Sequence, residues 1–359
     1  MNIAFVIYDT LDTVSGSYLY DRKLVEHLRA QGHTVEIVSL LRRTYRLHLQ
    51  DNFSAELLSR LVTGNFDLIL QDEMVHPSVA WLNRQVKKQV QTPIISVVHH
   101  LRSKQEWGLF HGMVIRRVEK DYLKTIDGFV FNSDTTRKAV EGLLGDKRPS
   151  IVSNPAADHF KEDLEAFTTG RNNQTGKLRI IFVGNIIERK GLDVLLMGLK
   201  QVPVNKWELD IVGDPTVAPD YVAKLHQLIE ETPRLKPAVH FLGPLSQRQL
   251  AIRYSMNHVL IVPSTYEGFG IVYLEGMGFG LPAVATSAGA ASEIITHLEN
   301  GFLLSVNNPK KITEAVKLLI KDRKFLAEMS ENAIKTFNSF PGWDETCHKT
   351  EGFLLELIN

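Results

Sequence analysis

The sequence contains a single cysteine, Cys347, among its 359 residues. One thiol cannot form an internal disulfide, and no cysteine-ligated zinc or iron–sulfur centre can be assembled from it. Chains without disulfides are typical of a reducing compartment. We therefore expect a cytoplasmic protein, which could also work at the inner face of the membrane.

A net charge is lacking as well, because 41 Lys and Arg residues balance 41 Asp and Glu residues. A chain without an overall positive field has no long-range attraction for nucleic acid or for an anionic membrane surface. No nucleic-acid partner is expected, and a peripheral membrane contact would depend on a local basic patch.

Long apolar runs are also missing. Residues 276–292 form the longest uncharged stretch, and glycines together with Pro282 interrupt it, so it is a poor candidate for a membrane span. The apolar residues 1–8 lack the basic lead-in and the small-residue cleavage site of a signal peptide. They predict a strand of a soluble chain.

Three motifs that define other enzyme classes do not occur. The sequence has no G-x-x-x-x-G-K-[ST] phosphate loop, no well-placed G-x-G-x-x-G dinucleotide fingerprint and no G-x-S-x-G nucleophile elbow. These absences argue against a P-loop enzyme, a dehydrogenase and a hydrolase of the α/β type.

Short β-branched and aromatic runs alternate with amphipathic helical stretches through most of the chain, which is typical of βα units that build a parallel sheet. In the first half the pattern predicts strands at residues 2–8, 34–40, 67–71, 93–99, 128–132 and 150–153. In the second half it predicts strands at residues 179–184, 208–213, 239–242, 259–263 and 282–286. The predicted fold class is α/β, with two doubly wound, Rossmann-like sheets.

A polar segment without apolar periodicity, residues 166–177, divides the chain. We expect an N-terminal domain over residues 1–165 and a C-terminal domain over residues 178–339, with 166–177 as the linker. The end of the chain, residues 340–359, contains a Pro-Gly break and then a leucine-rich stretch. It predicts a helix that crosses back to the first domain.

The loop after the predicted strand 259–263 is the richest in functional groups. It contains Glu267, and the following helix carries Glu275, eight positions later. Gly268 and Gly270 let the backbone approach a ligand, and the amides of a helix start stabilise a phosphate or a sugar hydroxyl. Either glutamate alone could be an ordinary solvated residue, but Glu275 lies among apolar neighbours, where a carboxylate needs partners.

A second loop at a strand end, residues 184–191, contains Arg189 and Lys190 between two glycines. An isolated basic pair is most often solvated. Because this loop leaves the same edge of the same predicted sheet as the Glu267 loop, we favour anion binding, with Lys190 as the cation.

Together these features resemble the GT-B glycosyltransferases, in particular the large retaining group called family 4, the glycosyl transferases group 1. Glu267 and Glu275 fit its E-x7-E motif, residues 268–270 its glycine loop and residues 184–191 its phosphate loop. The resemblance covers nearly the whole chain. It implies two domains that face each other across a cleft, and retaining transfer of a sugar from a nucleotide diphosphate donor to a hydroxyl acceptor.

The resemblance also implies roles for individual residues. Lys190 would stabilise the departing diphosphate, Glu267 would bind the donor sugar, and Glu275 would bind the ribose. His99, at the end of a strand in the first domain, would lie near the reacting centre, although a histidine in that position can also be purely structural. The positions whose backbone would approach the donor are Gly16, Gly184, Gly268, Phe269, Gly270 and Ile271.

One position departs from the family pattern. Many members have arginine directly after the first glycine of the phosphate loop, where this sequence has Asn185. Either Arg189 replaces that diphosphate contact, or donor binding is weaker. No Asp-x-Asp pair occurs, so the paired carboxylates with which GT-A transferases hold a metal are absent. We expect a metal-independent enzyme without a cofactor.

Acceptor-binding residues are expected in the first domain, and the acceptor could be a carbohydrate, a glycolipid or a small molecule. Asp72 and Glu73 follow a predicted strand and could bind acceptor hydroxyls, or they could belong to a solvated loop. His100 is a further candidate for acceptor contact.

Residues 107–124 mix apolar side chains, among them Trp107, Phe110 and Met113, with several basic ones. This composition would suit docking on a membrane surface, and ordinary packing explains the apolar residues equally well. Packing is favoured because acidic residues, including Glu106, dilute the positive charge.

Two other functions remain compatible with the sequence, namely a GT-B sugar-nucleotide epimerase and a non-catalytic binder of nucleotide sugars. The epimerase needs acid and base groups on both sides of a sugar ring, which are not evident. A glycogen-type phosphorylase would need a pyridoxal phosphate lysine, and none is evident either.

Overall fold

The structure is a computed structural model that describes residues 1–13, 15–104, 109–167 and 176–358. It divides into two compact units: unit 1 is Met1–Pro155 with Pro341–Asn359, and unit 2 is Ala156–Phe340. The predicted linker falls largely on residues 168–175, which lie outside the described residues, as do Glu106 and Trp107.

Unit 1 is built on a parallel sheet of six strands in the order β2-β1-β3-β4-β5-β6. The strands are β1 (Asn2–Tyr8), β2 (Thr34–Leu40), β3 (Leu68–Asp72), β4 (Ile94–Val98), β5 (Gly128–Phe131) and β6 (Ser150–Val152). Strands β3 and β4 are buried at every position, as expected where helices cover both faces of a parallel sheet. The six strands predicted for this half are confirmed to within one residue at each end.

The connections of unit 1 are mostly helical. Helix α1 (Gly16–Ala30) begins where the Ser15 hydroxyl accepts a hydrogen bond from the Tyr18 amide, and Gly32 after its end has φ 83°, which favours glycine. The other helices are α2 (Tyr45–His48), α3 (Ala55–Thr63), α4 (His76–Val79), α5 (Leu82–Val86), α6 (Leu109–Leu123) and α7 (Asp134–Leu144).

Unit 2 has a second parallel sheet of six strands, in the order β12-β11-β10-β7-β8-β9. The strands are β7 (Leu178–Val183), β8 (Trp207–Val212), β9 (Val239–Gly243), β10 (Val259–Ile261), β11 (Ala283–Thr286) and β12 (Gly301–Leu304). Five of them match predicted strands to within two residues. Strand β12, at one edge of the sheet, was not predicted.

Helices of unit 2 connect these strands and complete the α/β alternation. They are α8 (Lys161–Phe167), α9 (Leu192–Leu199), α10 (Pro219–Glu230), α11 (Gln247–Met256), α12 (Ile271–Gly278), α13 (Pro309–Lys321) and α14 (Arg323–Ser339). Strands β7 and β10 are parallel neighbours, with Val259 opposite Ile180, so their carboxyl ends lie at the same edge of the sheet.

The last helix, α15 (Trp343–Ile358), belongs to unit 1. The Trp343 ring lies 5.7 Å from the Tyr20 ring on α1, and the Ser153 hydroxyl donates a hydrogen bond to the Thr346 carbonyl on α15. The predicted return of the chain end to the first domain is confirmed.

Helix α6 corrects one expectation. Phe110 is 71% exposed and Met113 is 64% exposed, so packing, the favoured explanation for these apolar residues, is wrong for both. Ile115 and Tyr122, on another face of α6, are buried instead. Across the described part of the chain, no helix combines the length and the apolar character needed to cross a membrane.

Candidate active site

In the loop after β7, the Lys190 side chain packs against Gly184. Gly184 has φ 145°, and a Cβ atom at this position would lie 3.3 Å from Lys190 Cε. At Gly191, with φ 69°, a Cβ atom would lie 2.4 Å from the carbonyl oxygen of Pro263 in the next loop. Only glycine allows the backbone to pass this closely, so the loops after β7 and β10 are packed directly against each other.

Glu267 is the centre of that contact. Its Oε1 accepts hydrogen bonds from Lys190 Nζ at 2.6 Å and from the Ser264 hydroxyl at 2.5 Å. The side chains of Glu267 and Lys190 are only 9% and 12% exposed. The structure therefore brings together the two loops that the sequence singled out.

The pKa values of this pair follow from burial and charge. Burial by itself raises the pKa of Glu267, but the charges of Lys190 and Arg189, with hydrogen bonds from Lys190 and Ser264, lower it to about 2. Burial lowers the pKa of Lys190, and the charge of Glu267 opposes that shift. At neutral pH Glu267 is ionised, so it can accept hydrogen bonds but has no proton to donate.

Arg189 also points toward the Glu267 loop. Its Nη1 donates a hydrogen bond to the Tyr266 carbonyl at 2.6 Å and lies 3.5 Å from Glu267 Oε1. The neighbouring Asn185 is partly buried, and its carbonyl accepts a hydrogen bond from the Ile187 amide. A guanidinium is thus present beside Lys190, although Asn185 occupies the position where an arginine was expected.

The start of α12 follows Glu267 directly. Gly270 has φ 93° and precedes Ile271, the first residue of the helix. A Cβ atom at Gly270 would lie 2.5 Å from the Tyr273 ring, so only glycine fits here, and the amides of a first helical turn have no partners within the helix. Phe269 is buried, and its ring lies 6.0 Å from that of Phe340.

A third loop, after β11, contacts the backbone of Glu267. The Ala290 amide donates a hydrogen bond to the Glu267 backbone carbonyl, and the backbones of Glu267 and Gly289 form an isolated parallel β-bridge. A Cβ atom at Gly289, which has φ 78°, would lie 2.0 Å from that carbonyl oxygen. This glycine follows β11 and fixes the path of the Glu267 backbone.

Glu275 lies on α12 and is also buried, but its partners differ from those of Glu267. Tyr254 donates a hydrogen bond to its Oε2 at 2.9 Å, and His159 Nε2 lies 3.3 Å from its Oε1. These contacts are the partners that a carboxylate among apolar neighbours was expected to need. A carboxylate accepts several hydrogen bonds, so Glu275 keeps further acceptor capacity.

In unit 1, His99 is the centre of a buried acidic cluster. Its Nε2 lies 3.0 Å from Asp21 Oδ1, and the His99 backbone amide donates to Glu73 Oε2 at 3.0 Å. Burial by itself lowers the pKa of His99, but the charges of Asp21, Asp72 and Glu73 and the hydrogen bond to Asp21 raise it to about 9. At neutral pH the His99 ring is therefore a positively charged imidazolium, with a proton on both nitrogens.

The acceptor candidates in this unit are more enclosed than the sequence suggested. Asp72 and Glu73 are 0% and 1% exposed, so the solvated loop is excluded for both. Glu73 also binds the amides of His99 and His100, and this use leaves it little room for an acceptor hydroxyl. Burial raises the pKa values of both carboxyl groups, to about 7 for Asp72. Gly16, a candidate for donor contact, is the first residue of α1 and directly follows Ser15.

The sequence analysis missed Asp21, which lies on the buried face of α1. A lone aspartate between Tyr20 and Arg22 gives no motif, and only an acidic residue on an apolar helix face could have indicated it. Asp21, Asp72 and His99 offer ligand atoms within 4.8 Å of one another, but a cation there would have to displace the proton that His99 holds at neutral pH. Ser264, Tyr254 and His159 were missed for the same reason.

Solved structures share this architecture. Sucrose-phosphate synthase from Thermosynechococcus elongatus superposes with a TM-score of 0.81 over 99% of this chain and 98% of its own, at 18% identity. HepE from Anabaena, solved with UDP-glucose, superposes with a TM-score of 0.78 over 99% of this chain and 100% of its own, at 19% identity. The fold is that of the GT-B glycosyltransferases.

Part of the chain also matches a known family. Residues 165–336 match the glycosyl transferases group 1. D-inositol 3-phosphate glycosyltransferase 2 from Catenulispora acidiphila is 27% identical over 80% of this chain and 70% of its own length.

Other relatives match over shorter segments. An uncharacterized 41.2 kDa protein in the cps region of Klebsiella pneumoniae is 28% identical over 55% of this chain and 53% of its own length. An uncharacterized glycosyltransferase from Methanocaldococcus jannaschii is 32% identical over 49% of this chain and 44% of its own. The chain thus spans about half the length of these two relatives.

Proposed function

We propose that this protein is a retaining glycosyltransferase that moves a sugar from a nucleoside diphosphate sugar to a hydroxyl acceptor without a catalytic metal. The observation that carries the proposal is the contact of 2.6 Å between Lys190 Nζ and Glu267 Oε1 beside the glycine-opened start of α12. It joins the cation of one loop to the carboxylate of the other.

The charges of this site suit the proposed reaction. Breaking the bond between C1 of the sugar and the phosphate oxygen places positive charge on the sugar and negative charge on the diphosphate. Lys190, Arg189 and the helix-start amides would stabilise the leaving diphosphate more than the intact donor. The Lys190 ammonium has three N–H donors, so it can keep Glu267 and still contact a phosphate oxygen.

The ionised state of Glu267 limits its role. With a pKa of about 2 it cannot serve as a general acid near neutral pH, but it can accept hydrogen bonds from the hydroxyls of the donor sugar. Glu275 would bind the ribose hydroxyls through its remaining acceptor sites. His99, held in its protonated form by Asp21, would act near the reacting carbon, as the family resemblance implies.

Arg189 would replace the arginine that the family has at the position of Asn185. Its guanidinium already reaches the Tyr266 carbonyl in the Glu267 loop, so its side chain extends toward the place where the diphosphate would bind. A guanidinium matches phosphate geometry well.

The donor can be identified by incubating the purified chain, in the presence of EDTA, with UDP-, GDP- and ADP-sugars and with a panel of carbohydrate, glycolipid and small-molecule acceptors. UDP-glucose comes first, because HepE was solved with it. We expect release of nucleoside diphosphate together with a glycosylated acceptor. Binding without release would favour the non-catalytic binder, and a changed sugar still attached to its nucleotide would favour the epimerase.

Two further measurements test the finer parts of the proposal. NMR of the product should show the same anomeric configuration as the donor, and inversion would contradict the retaining assignment. Turnover should be equal with EDTA and with added Mg²⁺. Activity that requires the added ion would contradict metal independence.

A further inference from the structure

A second group of side chains with metal-ligating chemistry lies in unit 1, apart from the residues assigned above. His27 on α1 and Asp344 and His348 on α15 offer ligand atoms that all lie within 4.8 Å of one another. His27 Nδ1 is 3.9 Å and His348 Nδ1 is 3.3 Å from the same Asp344 Oδ1. The two imidazole rings have their centroids 4.4 Å apart.

We propose that His27, Asp344 and His348 bind a divalent transition-metal ion such as Zn²⁺, which links the last helix to α1. Two imidazoles and one carboxylate suit Zn²⁺, whose bonds to them are about 2.0–2.2 Å long. Ligand atoms around a tetrahedral ion then lie roughly 3.3–3.5 Å apart, so the observed separations need only small side-chain adjustments.

The surroundings of His27 support this assignment. Its Nε2 lies 2.8 Å from Glu351 Oε2, while its Nδ1 faces Asp344. A histidine that binds a metal commonly donates its other ring N–H to a carboxylate, which fixes the tautomer and directs the free lone pair at the ion. Glu351 provides that carboxylate and holds His33 through its second oxygen, at 2.8 Å.

Two of the three proposed ligands are exposed, so an ion can reach the site from solvent. The side chains of Asp344 and His348 are 85% and 53% exposed, whereas that of His27 is 8% exposed. Water can therefore complete the coordination, and the exposed ligands can adjust. His348 Nδ1 lies 3.0 Å from the Asp344 carbonyl, so binding requires His348 to present a deprotonated ring nitrogen to the ion.

The test measures Zn²⁺ binding without any substrate, so its outcome does not depend on the proposed function. Metal is removed from the full chain with a chelator, the chelator is exchanged away, and ZnCl₂ is titrated against a competing zinc indicator. We expect one Zn²⁺ per chain in the wild type. Affinity should fall about tenfold or more in Asp344→Asn and in His348→Ala, because a lost ligand costs at least as much as a lost outer-shell partner.

A matched control is His111→Ala, which removes another exposed imidazole of the same unit and should leave the affinity unchanged. Since Asp344 and His348 are largely exposed, both variants should fold, and their metal-free melting temperatures check this. ZnCl₂, but not MgCl₂, should raise the melting temperature of the wild type and of the control only.

Failure of the wild type to bind Zn²⁺ would overturn the proposal. So would unchanged Zn²⁺ affinity in both ligand variants, since the ion would then occupy another place, such as the cluster of Asp21, Asp72 and His99. An equal loss of affinity in His111→Ala would also contradict it.

Discussion

Lys190 Nζ lies 2.6 Å from Glu267 Oε1, although 77 positions separate the two residues in the chain. The contact forms because β7 and β10 are parallel neighbours whose carboxyl ends lie at one edge of the sheet. Gly191 then lets the two loops approach each other, and Gly184 leaves space for the Lys190 side chain. A cation, an ionised carboxylate and a helix start thereby occupy one small region of unit 2.

Lys190→Ala should lower kcat/KM for the donor by about 10²–10³-fold, the usual cost of losing a group that stabilises transition-state charge. It also removes the nearer of the two cations beside Glu267 and leaves only Arg189 at 3.5 Å, so it should destabilise the protein by less than the ~3–5 kcal/mol of a fully unpaired buried charge. The double variant Lys190→Ala/Glu267→Gln should recover stability but not activity. The control Lys324→Ala removes a lysine whose side chain is 89% exposed, and it should behave as the wild type. Unchanged kcat/KM in a folded Lys190→Ala protein would contradict the assignment.

Glu275→Gln should weaken binding of the donor nucleotide by about tenfold, because an amide oxygen accepts hydroxyl hydrogen bonds less strongly than a carboxylate. The measurement is the rise in melting temperature that the nucleoside diphosphate produces. Tyr254→Phe removes one internal partner of Glu275 but keeps the carboxylate, so it should retain most of that rise. An equal loss in both variants would indicate that Glu275 is only structural.

Gly289→Ala should destabilise unit 2 far more than Gly243→Ala. Both glycines have positive φ, 78° and 69°, so alanine is strained at either position. At Gly289 the new Cβ would also lie 2.0 Å from the Glu267 carbonyl oxygen, whereas at Gly243 it would meet nothing within 4 Å. We expect about 1 kcal/mol for the control and at least twice that for Gly289→Ala. Thermal unfolding compares the two, and equal costs would show that the close approach is not needed.

Asp21→Asn should lower the pKa of His99 from about 9 by about one unit or more, because the adjacent charge that favours the protonated ring is lost. NMR titration of the His99 ring protons measures it. The raised pKa also has a consequence for stability. The contribution of the wild-type pair is fully present below pH 6.5 and is lost as the pH rises through about 9. The difference in stability between wild type and Asp21→Asn should therefore shrink over that range, and a difference that grows with pH would contradict the charged pair.

Much of this protein can be predicted from local sequence patterns. Alternating strand and helix signals locate eleven of the twelve strands in the described part of the chain, and Gly32 marks the end of α1, since such signals arise within short segments of chain. The same holds for the loops of Lys190 and Glu267, whose glycines, charges and positions at strand ends predict a phosphate site. The short edge strand β12 and the exposed apolar residues of α6 escaped because their state depends on neighbours distant in sequence.

The sequence by itself determined the α/β class, the family resemblance and the residue types of the proposed donor site, because these depend on periodicity and on motifs within short segments. Only the tertiary structure decided which side chains meet. Asp21 with His99, Glu275 with Tyr254, and His27 with Asp344 are brought together by helix and strand packing across many positions of sequence. Long-range contacts of this kind leave no local pattern, since each partner on its own is an ordinary polar residue.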